Sequence, residues 1–97
     1  MNEYRSHATI GAGHPCLDGH FPGNPIVPGV VLLEAVAAAV REWRGVAVSG
    51  FPSVKFVSPL RPDEQMEIIL SGGDAAAPLR FRCESGGRLL AQGSAIL

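Results

Sequence analysis

Charge is scarce and nearly balanced in this 97-residue chain: 18% of residues are Asp, Glu, Lys or Arg, with eight Lys plus Arg against nine Asp plus Glu and a formal net charge of −1. Such a chain has no global basic field to draw in nucleic acid or an anionic membrane, so a charged partner has to be met by a local patch. Cysteine is scarce as well. Cys16 and Cys83 stand far apart with no paired spacing, which suits a reduced, cytoplasmic chain better than a disulfide scaffold. No apolar run is long enough to cross a bilayer: the longest, Val30 to Val40, is interrupted by Glu34, whereas a span needs about 20 residues. Met1 to Ile10 contains Glu3, Arg5 and His7 and no apolar stretch, so no signal peptide is expected. Repeats, low-complexity tracts and interdomain linkers are missing too, and a single domain over residues 1–97 is the expectation.

What the chain has in quantity is punctuation. Twelve glycines and eight prolines cut it into blocks, most densely between Gly11 and Gly29, a segment that reads as a long ordered loop. The block from Pro28 to Arg44 is predicted to be a helix, with Pro28 and Gly29 at its start, Gly45 just past its end, and Arg41 and Arg44 in the last turn where cations suit the helix dipole. It would be roughly 24 Å long. Its apolar residues point in every direction, a pattern that predicts burial on all sides.

After Gly50 the pattern changes to strand and turn. Phe51 to Val57 and Gln65 to Leu70 are apolar-rich and bounded by Pro59, Pro62 and Ser71-Gly72-Gly73. Leu79 to Glu84 alternates strictly, with Leu79, Phe81 and Cys83 expected to face a core. Ser85-Gly86-Gly87 then reads as a hairpin connection into Arg88 to Leu97. Tyr4 to Ile10 is a weaker strand candidate. The architecture that satisfies these blocks is α+β, one central helix wrapped by an antiparallel sheet of about five strands. A domain of this size buries only about 60–65% of its surface and cannot easily cover all sides of such a helix, which predicts a dimer.

Glu34 is the anomaly, because a carboxylate inside an apolar helix costs several kcal/mol unless it is paired, neutralised or facing a polar cleft. Either it lies on an exposed strip, which no polar residue at neighbouring helical positions marks, or it looks into an active-site cavity where desolvation raises its pKa and makes it a proton donor. His20 opens the stretch His20-Phe21-Pro22-Gly23-Asn24-Pro25-Ile26-Val27-Pro28-Gly29, whose three prolines and two glycines stiffen the approach to the helix. At the mouth of the same cavity, a histidine would remove a proton from carbon while Glu34 protonates a departing hydroxyl. The backbone N–H groups near Gly29 and Val30 offer donors to an oxygen that gains charge. Together the three elements describe proton abstraction next to a carbonyl, with an oxyanion site and an acid for the leaving group.

Other chemistries fit less well. His14, Cys16, Asp18 and His20 alternate, but alternate residues of an extended segment lie about 6–7 Å apart, so no more than two neighbours share one zinc and no metal site is expected. Cys16 lacks an identifiable histidine and orienting group for nucleophilic catalysis. Arg41, Arg44, Lys55, Arg61, Arg80, Arg82 and Arg88 read for the most part as solvated faces and ion pairs. Lysine appears once among the eight cations, and arginine is the better phosphate binder by geometry, which leaves room for a phosphorylated carrier or cofactor arm.

The run from Gly19 to Ala35, Gly-His-Phe-Pro-Gly-Asn-Pro-Ile-Val-Pro-Gly-Val-Val-Leu-Leu-Glu-Ala, resembles the signature of the hot dog fold 3-hydroxyacyl-acyl-carrier-protein dehydratases. In that family the motif histidine and an acidic residue 14 positions on form the catalytic pair, and Glu34 follows His20 by 14. Lys55 to Pro62 is similar to the strand and turn after the family's helix. The resemblance implies a hot dog fold and a homodimer with two active sites at its interface, each pairing His20 of one subunit with Glu34 of the other. It further implies that the N–H groups near Gly29 and Val30 polarise the thioester carbonyl. The acyl chain would ride on the phosphopantetheine of an acyl carrier protein, with no separate cofactor, in fatty-acid or polyketide-type synthesis. Two alternatives remain: a hot dog thioesterase in which Glu34 activates water, and a non-catalytic acyl-binding or partner subunit.

Overall fold

The computed structural model describes residues 3–11, 26–74 and 77–97. Within them one helix packs against one antiparallel sheet. The elements in chain order are β1 (Glu3–Thr9), α1 (Gly29–Arg44), β2 (Gly50–Phe56), β3 (Gln65–Ser71), β4 (Leu79–Ser85) and β5 (Arg88–Ile96). The sheet order is β1-β3-β4-β5-β2, so β2 crosses to the far side of the sheet from β3 and pairs with β5. Each of these elements matches a block marked out by the sequence, to within about a residue or two at its ends.

Local chemistry explains the elements. Gly45 ends α1 in the left-handed region, at φ 72°, and its N–H donates to the Arg41 carbonyl at 2.8 Å, as a C-terminal cap requires. Gly86 and Gly87 both take positive φ, 56° and 79°, which a two-residue β4–β5 hairpin turn needs and other residues resist. Pro52 sits in β2, the edge strand beside β5, at a register shift between Gly50 and Ser53. An edge strand with a bulge is where a residue without an N–H does least harm.

The core forms between α1 and the inner face of the sheet. Val31, Leu32, Val36, Ala39 and Val40 of the helix meet Met66, Ile68, Leu70, Leu79, Phe81, Cys83 and Ala91 from the strands. The alternation in β4 is as expected: Leu79, Phe81 and Cys83 are buried, whereas Arg80 and Arg82 are exposed. At its C-terminal end the helix is tied down by an aromatic stack of Tyr4 on Trp43 (5.7 Å between ring centres) and by Arg44, which lies over the Trp43 ring and donates to the Gly72 carbonyl at 2.6 Å. The Tyr4 hydroxyl donates to Glu42.

Burial of the helix on all sides is not what the single chain shows. Val30, Glu34, Ala38 and Arg41 are exposed and, spaced three or four residues apart, form one strip along α1. The sheet covers another side of the helix and leaves this strip exposed, with Val30 62% exposed.

Cys83 supplies a test of how dry the core is. Burial pushes its thiol up to about 12 from the ordinary 9.0. The unfolded chain therefore releases this proton at lower pH than the folded one. Its contribution to stability is intact below about 9 and falls as pH rises towards 12. Comparing chemical denaturation at about pH 8 and about pH 11, the parent chain should lose more stability than Cys83→Ala, which has no thiol to ionise.

Candidate active site

The start of α1 is held from two directions. Pro28 provides the N-cap with extended backbone (φ −60°, ψ 146°), no side chain caps the helix there, and the Val31 N–H donates back to the Pro28 carbonyl at 3.0 Å. Just before it, the Val27 N–H donates to the Leu60 carbonyl at 2.9 Å, which fixes the helix entrance against the segment following β2. That segment is braced in turn: Arg88 donates to the Pro59 carbonyl at 3.1 Å, and Glu64 accepts from the Arg61 N–H at 2.8 Å.

Between the two lies an apolar cavity of about 360 Å³, lined by Ile26, Val27, Gly29 and Leu32 on the helix side and by Phe56, Val57 and Leu60 with Ser58 and Pro59 on the other. Its size is that of a small-molecule pocket. Gly29 forms its wall because the Phe56 ring lies directly over it: a Cβ added at Gly29 would stand 2.6 Å from Phe56 Cζ. The absence of a side chain at Gly29 is what lets ring and helix start close together. The first helical N–H groups carry the positive end of the helix dipole beside this apolar cavity, where a polarised oxygen is stabilised more than in water.

The sequence-derived site residues divide as follows. Gly29 borders the cavity. Val30 follows it at the helix start but turns its side chain outward. Glu34 lies one turn further along on the exposed strip, its side chain not among those lining the cavity. In the single chain, then, the carboxylate is not enclosed by its own subunit. His20 lies outside the described residues, as do His14, Cys16 and Asp18. Among the described residues no three His, Cys, Asp or Glu side chains come together as a metal site requires. Phe56 and Val57, 54% and 48% exposed, are the residues that sequence reasoning missed: they read as ordinary strand residues, and only the return of β2 beside the helix start brings them to the cavity.

Gly29→Ala tests this wall. The new methyl group would displace the Phe56 ring, the movable end of a partly exposed side chain, so the stability cost should be modest, about 1 kcal/mol. The cavity should change shape more than the fold does. Thermal denaturation of Gly29→Ala, Phe56→Ala and the double variant should show the two changes as non-additive, with Phe56→Ala relieving the clash.

Comparison with known proteins identifies the family and the fold. A family model described as ApeI-like, ApeI dehydratase, matches residues 1–94. The 3-hydroxyacyl-[acyl-carrier-protein] dehydratase FabZ of Haemophilus influenzae is 39% identical over 70 residues, covering 62% of this chain and 47% of that protein. FabZ of Mannheimia succiniciproducens is 32% identical over 76 residues, covering 68% of this chain and 51% of that one. The chain thus spans about half the length of these relatives. Among solved structures, the dehydratase heterocomplex ApeI:P from Xenorhabdus doucetiae superposes with a TM-score of 0.82 at 24% identity, over 97% of this chain and 85% of that one. An acyl-CoA hydrolase from Staphylococcus aureus shares the fold more distantly, with a TM-score of 0.57 at 11% identity. The fold is the hot dog fold, and by its family match the chain belongs to the ApeI-like dehydratases.

Proposed function

We propose that this chain removes water from a 3-hydroxyacyl thioester carried on the phosphopantetheine of an acyl carrier protein, giving the 2-enoyl thioester, in fatty-acid or polyketide-type synthesis in the cytoplasm. The observation that carries the reading is the apolar cavity set against an uncapped helix start at Gly29, five residues ahead of a carboxylate on the same helix. The dehydratase names of the relatives support it.

In this reaction the N–H groups near Gly29 and Val30 hold the thioester oxygen and stabilise the charge that reaches it when a C2 proton leaves. His20 takes that proton. Glu34 protonates the C3 hydroxyl, the C3–O bond breaks, and water departs as the C2–C3 double bond forms. The proton held by His20 then passes to the Glu34 carboxylate, directly or through water, which resets base and acid for the next cycle, so no separate cofactor is required. The exposed strip of Val30, Glu34 and Ala38, together with exposed Phe56 and Val57, is the surface a second copy would cover. A homodimer closed over this strip would bring His20 of one subunit to Glu34 of the other and remove the carboxylate from bulk water.

The test is incubation with 3-hydroxyacyl carrier proteins of several chain lengths, with mass detection of the acyl group. Loss of water supports the dehydratase reading. Release of a free acid would instead assign a thioesterase. If the homogeneous chain leaves every substrate unchanged and turns over only when a second, homologous chain is added, it is a partner subunit of a heteromeric enzyme.

A further inference from the structure

The face of the sheet turned away from α1 carries a second concavity, of about 410 Å³, that the dehydration chemistry does not use. Strand register builds it. Lys55, Gln92 and Arg82 stand opposite one another across β2, β5 and β4, and in the next row Ser53, Ser94 and Arg80 do the same. Ser71 of β3 faces Arg80. In the second row Ser53 and Ser94 are short, so between Arg80 and the Lys55–Gln92–Arg82 row the surface is a trough rather than a flat charged face. Lys55, Arg80, Arg82, Gln92, Ser53 and Ser71 line it together, and Ile69 gives it an apolar patch.

Its electrostatics are lopsided. Arg82 is held by Glu84 at 2.6 Å, but among the described residues no carboxylate pairs with Lys55 or Arg80. Glu3 is the acidic residue in the lining, and it is already engaged by Arg5 at 3.1 Å. Two cations that no described carboxylate pairs with, a third beside them and several hydroxyl and amide groups within one concavity match the oxygen-rich, multiply charged surface of a phosphate group, for which arginine's planar fork is well shaped.

We propose that this trough binds a small, soluble phosphate-bearing ligand on the outer face of the sheet, with Arg80 and Lys55 as its principal contacts. A concave site of this volume suits a compact anion better than the broad, flatter face of an acidic protein. Because the sheet separates the trough from the cavity at Gly29, ligand here would leave the acyl site accessible. The inference stands apart from the dehydratase reading and survives its failure.

Calorimetric titration of the full chain with inorganic pyrophosphate at low ionic strength tests it. Saturable binding at one ligand per chain is expected, weakened about tenfold by Arg80→Gln and by Lys55→Gln, each of which removes a charge-assisted contact. Glu3→Gln removes a nearby negative charge and should strengthen binding, by about threefold, a change that loss of structure does not imitate. Arg41→Gln, on the helix and away from the trough, should leave the affinity alone. All four positions are exposed, so circular dichroism should be unchanged throughout. Absence of saturable binding overturns the proposal. So does equal weakening by Arg41→Gln, or binding of polyglutamate or anionic vesicles with none of pyrophosphate.

Discussion

Glu34→Gln should cut turnover of a 3-hydroxyacyl carrier protein by about 10²–10⁴-fold, the usual contribution of a positioned acid or base. The denaturation midpoint of the isolated subunit should hardly move, because an exposed side chain away from caps and cores changes stability by only about 0.5 kcal/mol. His20→Ala should lose activity to a similar extent. Exposure of Glu34 in the single chain makes the combination of the two variants more telling than either alone. If each site takes its histidine from one subunit and its carboxylate from the other, a heterodimer of the two variants contains one doubly damaged site and one intact site. Unfolding and refolding an equal mixture would then restore about one quarter of parental activity, since half the dimers are mixed and each has one working site of two. Were both groups drawn from the same subunit, every site in the mixture would lack one of them and activity would stay at the level of the single variants.

The need for that experiment reflects what the sequence does and does not specify. Element boundaries are written locally. Pro28, Gly29 and Gly45 bracket α1, Gly86 and Gly87 make the β4–β5 turn, and the alternation through Leu79, Phe81 and Cys83 assigns β4 its inner face. Even Ser85, next in that alternation after Cys83, keeps the inward pattern, its hydroxyl donating to the Gln65 carbonyl at 2.8 Å. Strand order is a different matter. β2 follows α1 and precedes β3, yet it lies beside β5 at the opposite side of the sheet, and no local pattern in Gly50–Phe56 says so. This long-range choice is what places Phe56 over Gly29 and creates the apolar cavity.

The exposed strip of the helix was concealed for a related reason. A strip meant for water is marked by polar residues, whereas a strip meant for another protein surface is apolar like the core. Val30, Ala37 and Ala38 around Glu34 therefore read as interior residues, although the sheet of the same chain does not reach Val30, Glu34 or Ala38. The candidate acid was legible from its chemical oddity. Its surroundings were not, because the sheet, assembled from strands distant in sequence, leaves this strip of the helix exposed. The two rows on the outer face were hidden by register: Lys55, Arg80 and Arg82 are scattered in sequence and become neighbours only when β2, β5 and β4 align.

Gly93→Ala should be among the most disruptive single changes in the molecule, although it adds only a methyl group. Gly93 stands opposite Val54, and a Cβ at this position would lie 2.0 Å from the Ser53 carbonyl oxygen and 3.0 Å from the Phe81 ring. The Phe81 ring belongs to the core and is 3% exposed, so it has little room to retreat. The Ser53 oxygen is backbone and cannot rotate away; relief requires β2 itself to move. Overpacking of this kind costs about 1–3 kcal/mol or more, and in a domain of this length each kcal/mol lowers the melting temperature by about 4–8 °C. The strain should be released locally, because β2 is bonded on one side only and already departs from regular register between Gly50 and Ser53. Hydrogen exchange should therefore show β2 and its β5 partners losing protection while β3 and β4 keep theirs. Since Phe56 and Val57 continue from β2 into the cavity wall, turnover should fall with that protection. Gly29→Ala clashes with a movable ring rather than backbone, and should leave β2 protected. An unaltered melting temperature and full β2 protection in Gly93→Ala would refute the close approach of these two strands.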